Sequence, residues 1–257
     1  MPHHRYVFVG GLHRSGTSLV ARLIAALPGV AAIEGAPVPE NEGVYLQGAI
    51  PHTARHGRPM HFATDPAQHL VEGCAFDRLE VRDRIEADWA RWFAPDPWRV
   101  EKSPPNLTRM RLYQQLFPLA QFVVVLRHPE AVAAATRKWV DMDLPAMVDH
   151  WLAAHDRVAA DLPWLHAVLV LRYEDMVADP ARAMAMLAAF LDVEAPPLPE
   201  AVRDGNAAYA GRVTLSGSQA ARAAPWGYGP GLEARPRAVQ VAHPLWSVAH
   251  AVRVRSG

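Results

Sequence analysis

Lysine is nearly missing from this chain of 257 residues, which has 26 basic side chains, of which only Lys102 and Lys138 are lysine. Cysteine is rarer still: Cys74 stands alone, which excludes an internal disulfide and any multi-cysteine metal site and fits a reducing compartment. Net charge is absent too, with 26 acidic residues against the 26 basic ones. No global field therefore draws the chain to nucleic acid or to an acidic membrane, and any anion must be met by local groups. No apolar run approaches the roughly 18 residues of a membrane span. The leader MPHHR runs into strand-like YVFVGG with no signal-peptide core, so the expectation is a protein that begins at its first strand and works in the cytoplasm.

What is present is an ordinary globular composition, 51% hydrophobic and 20% charged, read as a single domain over residues 1–257. Strand-like YVFVG is followed by a Gly-rich turn and an apolar helix pattern from Thr17 to Leu27. Further on, WRVEK, QFVVVL and HAVLVLR read as strands, and RLEVRDRIEADWARWF, LTRMRLYQQLF (with Asn106 as its cap), EAVAAATRKWV, PAMVDHWLAAHDRVAADL and PARAMAMLAAFLDV read as helices. This alternation predicts an α/β fold, a P-loop-like three-layer α/β/α arrangement around a central parallel sheet, with ligands beyond the carboxyl ends of the strands. Past Pro196 the pattern weakens, and residues 196–257 read as an irregular C-terminal part in which WGYGPG is a mobile loop. Trp226 and Tyr228 there are equally readable as a lid over the ligand or as ordinary packing.

The Gly-rich turn carries the first chemical signal. From Gly11 it reads GLHRSGTS, which meets the phosphate-loop pattern G-x-x-x-x-G-K-[ST] except that Thr17 stands in the lysine position. The cation has moved to Arg14, and backbone N–H groups with Ser15, Gly16, Thr17 and Ser18 complete an anion site at a helix N-terminus. In nucleotide triphosphatases a second apolar strand ends in a magnesium-binding aspartate. Here FVVVL ends in Arg127, an anion-binding guanidinium. Both departures point to an anion site built without a metal.

Four segments in this order resemble the sulfotransferases that use 3′-phosphoadenosine 5′-phosphosulfate (PAPS). GLHRSGTS resembles their 5′-phosphosulfate loop, VVVLRHPEAVAAAT their 3′-phosphate segment, EKSPPN the Lys-Ser/Thr-Pro segment of the carbohydrate-modifying branches, and LRYEDMVADP the segment whose tyrosine lines the nucleotide site. The resemblance covers residues 6–195 and implies PAPS as donor, PAP (adenosine 3′,5′-bisphosphate) as product and no metal. It implies donor binding by Arg14, Ser15, Gly16, Thr17, Ser18, Arg127 and Tyr173. The family's 3′-phosphate serine falls on Ala135, so the hydroxyl is Thr136, one residue and about 100° further round the helix, with Arg137 and Lys138 as substitutes.

For the chemistry, Arg14 and Lys102 supply positive charge at the transferring group, with a Lys102–Glu101 ion pair as the plain alternative for that lysine. A base is required as well; Glu42 is the first choice and Glu34 the second, ahead of His52, His56, His61 and His69, whose spacing matches no zinc pattern. The expected partner is a small-molecule acceptor with a hydroxyl or amine, and no nucleic acid. Two other readings stay open at this level: an atypical P-loop kinase, and a nucleotide-binding regulatory protein without catalysis.

Overall fold

A computed structural model describes residues 4–52, 60–199 and 201–257. Its centre is a six-stranded sheet in the order β2-β3-β1-β4-β5-β8. The strands are β1 (Arg5–Gly10), β2 (Val30–Ala32), β3 (Trp98–Lys102), β4 (Gln121–Leu126), β5 (Val168–Arg172) and β8 (Gln240–Ala242), and a separate ribbon pairs β6 (Tyr228–Gly229) with β7 (Glu233–Ala234). Pairing is parallel from β2 through β5, while β8 runs antiparallel to β5. The sheet is thus mostly, not wholly, parallel.

The helices are α1 (Thr17–Ala25), α2 (Gly43–Leu46), α3 (Leu79–Trp89), α4 (Met110–Leu116), α5 (Pro129–Thr136), α6 (Leu144–Asp161), α7 (Tyr173–Ala178), α8 (Pro180–Leu191), α9 (Gly217–Ala223) and α10 (Trp246–Ser256). Side chains alternate across the strands, and each alternate set heads its own core. Tyr6 and Phe8 of β1 join Phe122, Val124 and Leu126 of β4 on one face, under Ile85 and Trp89 of α3, Tyr113 of α4 and Trp151 of α6. Val7, Val9, Val123 and Val125 face the other way, onto Val20, Leu23 and Ile24 of α1, Leu187 and Phe190 of α8 and Val252 of α10. Each of these fully buried large side chains contributes about 1.5–3 kcal/mol relative to exposure. The three-layer α/β/α architecture follows from this two-sided burial.

Two readings of local structure are corrected. Asn106 caps no helix: α4 begins at Met110 after Arg109, and Asn106 lies in a short 3₁₀ turn (Pro104–Thr108) with its amide turned inward. The stretch past Pro196 is not irregular throughout, since it supplies the sheet's sixth strand and α10, which packs along α8. WGYGPG begins in a fixed position. Trp226 and Tyr228 are buried, and the Tyr228 hydroxyl donates to Glu174 Oε2 at 2.9 Å. Both aromatics pack in the core and do not reach over the cleft described next.

Candidate active site

Register puts Val9 beside Lys102 and Leu126 beside Arg172, so β1, β3, β4 and β5 all end on one edge of the sheet. The chain leaving each strand converges there, around a cleft of about 590 Å³ lined by His13, Arg14, Gly16, Thr17, Ser18, Pro39, Glu40, Glu42, Tyr45, Pro104, Arg127 and Trp139. That volume suits a small ligand.

The loop after β1 turns tightly, with Ser15 N–H donating to Leu12 O at 3.1 Å, and enters α1 through Gly16 at φ 98°. Glycine is required at this point twice over. The left-handed φ disfavours a side chain, and a Cβ would stand 2.9 Å from the Tyr173 ring. Arg14, at φ 67°, is exposed on the cleft. Ser15 is buried, and its hydroxyl finds no hydrogen-bond partner among the described residues. A buried unpaired hydroxyl at a helix N-terminus is a group in want of a ligand. Ser18 Oγ donates instead to Glu40 Oε2 at 3.2 Å.

Arg127, at the end of β4, is 5% exposed. Its Nε donates to Asn206 Oδ1 and its Nη1 to Arg14 O, both at 2.8 Å, and its guanidinium lies 4.2 Å from the centre of the Tyr173 ring. Among the described residues no carboxylate forms an ion pair with it, and its Nη2 makes no hydrogen bond. Tyr173 is fixed in turn by 203–205: its hydroxyl donates to Arg203 O at 3.0 Å and accepts from Gly205 N–H at 2.8 Å. Thr136 does not join this group. Its Oγ1 donates back to Val132 O of its own helix at 2.7 Å, and the residue is fully buried.

On the opposite wall Glu42 and Lys102 form a buried ion pair, Nζ to Oε1 at 2.9 Å. Burial outweighs the lysine, so the Glu42 carboxyl is pushed up to about 7, with Glu101 and Glu40 adding to the rise. Lys102 does not pair with Glu101, whose carboxylate is taken by other donors. It touches Glu42 from behind and lines a neighbouring cavity of about 350 Å³ with Glu34, Glu40 and Arg22. Glu34, exposed, faces that second cavity and not the loop cleft. His13 is driven down to about 4 by burial and by the nearby Lys102, so it is a neutral group at ordinary pH.

The other histidines do not converge. His52 is buried with its ring 4.8 Å from Tyr45, His61 faces Asp65, His69 Nε2 lies 2.7 Å from Asp161, and His56 lies outside the described residues. Sequence reasoning passed over Tyr45, Trp139 and Asn206, and named Glu101 only as an ion-pair partner for Lys102. Trp139, 41% exposed beside the loop, carried one signal, an aromatic next to a rare lysine. Asn206 carried none, since it meets Arg127 across 79 residues of chain.

Several solved structures are similar to this one. Sulfotransferase STF9 from Mycobacterium avium is 12% identical, with 88% of this chain and 68% of that one covered at a TM-score of 0.51. A sulfotransferase from Alicyclobacillus acidocaldarius is 16% identical over 88% of this chain and 91% of that one, TM-score 0.49. Sulfotransferase STF1 from Mycobacterium tuberculosis is 18% identical over 76% and 69%, TM-score 0.47. No curated protein matches. At 12% identity the likeness to STF9 is one of fold. The model of the Sulfotransferase family, however, matches residues 6–197, about three quarters of the sequence, and on that match the chain belongs to the sulfotransferase family.

Proposed function

We propose that the protein transfers a sulfuryl group from PAPS to the hydroxyl or amine of a small acceptor, without a metal. The observation that carries this reading is one cleft with an uncompensated guanidinium, Arg127, on one wall and a proton-accepting carboxylate, Glu42, on the other. The residues fit the donor: Ser15 has an unused buried hydroxyl beside the α1 N-terminus, and Arg127 keeps its charge for an anion. Bound there, PAPS supplies a sulfuryl group already activated by its bond to phosphate.

The chain's own residues do the rest. The loop N–H groups, Ser15, Thr17 and Arg14 hold the 5′ anionic end, while Arg127 and Tyr173 hold the 3′-phosphate end. Glu42, ionised above about pH 7, takes the acceptor's proton as its oxygen or nitrogen bonds to sulfur and the sulfur–phosphate oxygen bond breaks. Lys102 holds its ammonium against Glu42, and Arg14 meets charge that develops on the loop side. Trp139, Tyr45 and neutral His13 give the acceptor an aromatic wall.

Calorimetry with PAP, with and without EDTA, tests the donor site, and transfer of radiolabelled sulfonate from PAPS across a panel of phenols, alcohols and amines tests the activity. Equal affinity with and without chelator is expected. Binding of Mg²⁺–ATP with none of PAP would return the kinase reading, and PAP binding with no transfer to any acceptor would return the regulatory one.

A further inference from the structure

The end of β3 grips the segment of Glu42 residue by residue. Lys102 Nζ donates to Glu42 Oε1 at 2.9 Å, Gly43 N–H donates to Glu101 Oε1 at 2.9 Å, and Val44 N–H donates to Ser103 Oγ at 3.1 Å. Three consecutive residues of one segment thus hold three consecutive residues of the other. Trp89 Nε1 closes the far side by donating to Gly43 O at 2.9 Å. Nothing larger than glycine fits at 43, because a Cβ would stand 2.8 Å from Glu101 and 2.9 Å from the Trp89 ring nitrogen.

Glu101 is the residue in this grip that plain packing does not explain. It is 1% exposed, and besides Gly43 N–H it accepts from Ser103 Oγ and Asn106 Nδ2, each at 2.6 Å. Asn106 Nδ2 also donates to Val9 O at 3.1 Å, on the strand that leads into the anion loop. A fully buried carboxylate is costly even when it is well hydrogen-bonded: burial pushes the Glu101 carboxyl up, while Ser103, Asn106, Gly43 N–H and Lys102 favour its charged form. A neutral amide could accept from Gly43 N–H equally well; what it lacks is the charge. That charge bears on Glu42, which is faced by Lys102 and Glu101 from β3 and by Glu40 from the preceding turn, with Arg14 and neutral His13 on the loop across the cleft.

We propose that Glu101 is a positioning residue for Glu42: its buried carboxylate fixes the 42–44 segment against Lys102, and its negative charge opposes that lysine's hold on the Glu42 carboxylate. The value of this arrangement to turnover rests on the reading of Glu42 as the base; the grip itself does not. Removing the Glu101 charge leaves Lys102 less opposed, so Glu42 becomes a weaker proton acceptor.

The test is a carboxyl-carbon NMR titration of the full chain labelled at glutamate, with the Glu42 signal assigned by its loss in Glu42→Gln. In Glu101→Gln the Glu42 midpoint is expected to fall by about half a pH unit or more, while PAP affinity stays within about twofold of wild type because the nucleotide groups are separate. An unchanged midpoint in a folded variant overturns the proposal. If Glu101→Gln does not fold, Ser103→Ala loosens the same grip: Val44 N–H exchange should quicken by about tenfold or more relative to amides of α8, with the Glu42 midpoint displaced, and an unchanged exchange rate and midpoint overturn it. A wild-type protein that binds no PAP would sink the sulfuryl-transfer reading alone, and the Glu42 midpoint would still decide for or against Glu101.

Discussion

The two walls of the cleft handle buried charge in opposite ways. On the Glu42 wall a carboxylate and an ammonium neutralise each other at 2.9 Å, and burial leaves the carboxyl poised near 7. On the Arg127 wall a guanidinium of similar burial is held by neutral oxygens and an aromatic face, with no ion-pair partner among the described residues. A pair whose proton is loosely owned suits a step in which a proton moves. A cation held by dipoles, with no proton to pass on, suits an anion that is bound and released unchanged. In the proposed reaction this difference gives chemistry to one wall and recognition to the other.

The strongest way to break this division is at Lys102. Lys102→Ala leaves a buried carboxylate without its cation, so kcat should fall on the order of 10² to 10³ with little change in the KM for PAPS; equal losses in both would place Lys102 in binding. The pH profile sharpens the same point. Below about 7 Glu42 holds a proton, so kcat should climb with pH through that value and level off above it. In Lys102→Ala the rise should move to higher pH, since the lysine is what pulls Glu42 down. Glu42→Gln should remove turnover and the pH-dependent rise together while PAP still binds. Should Glu34→Gln be the dead variant instead, the base sits in the second cavity.

Smaller effects are expected on the recognition wall. Arg127→Ala should weaken PAP by roughly tenfold or more, the size of a lost charge-assisted contact, and leave adenosine 5′-phosphosulfate nearly untouched. Calorimetric losses equal for the two ligands would make Arg127 a structural residue. Asn206→Ala removes only the neutral acceptor on Arg127 Nε, a bond of about 1 kcal/mol, and should cost PAP a few-fold in affinity with kcat unaltered. A loss as large as that of Arg127→Ala would mean that Asn206 meets the nucleotide itself.

Much of the scaffold was legible in the sequence because its signals are local. The strands that alternate Tyr6 and Phe8 against Val7 and Val9, the loop GLHRSGTS, and Arg127 at a strand end all declare themselves within a few residues. Glu42 and Lys102 could be named singly; that they bond each other could not, because 60 residues separate them. Local reasoning misled where a side chain had a stronger distant partner. Asn106 is spent on Glu101 and Val9 rather than on a cap, and Glu101 on three donors rather than on its neighbour Lys102. Thr136 failed for a helical reason, since a threonine in a last turn readily bonds the carbonyl four residues back. The C-terminal part misled because Gly- and Pro-rich sequence reads as loop even where buried aromatics and a carboxylate, Glu174, fix it.

The Arg127–Asn206 contact also bears on how this protein can be cut or recombined. The segment shared with the family ends at residue 197, yet the oxygen that seats the recognition arginine lies beyond it, and Glu174 holds Asn206 Nδ2 from within. The tail after 197 is therefore stitched into the Arg127 wall of the cleft as well as into the sheet edge. A chimera joined at the family boundary would inherit the loop, Glu42 and Lys102, and its Arg127 would keep Arg14 O and the Tyr173 ring but lose the acceptor on its Nε unless the incoming tail brought one of its own. The natural unit of exchange for this enzyme is the whole chain.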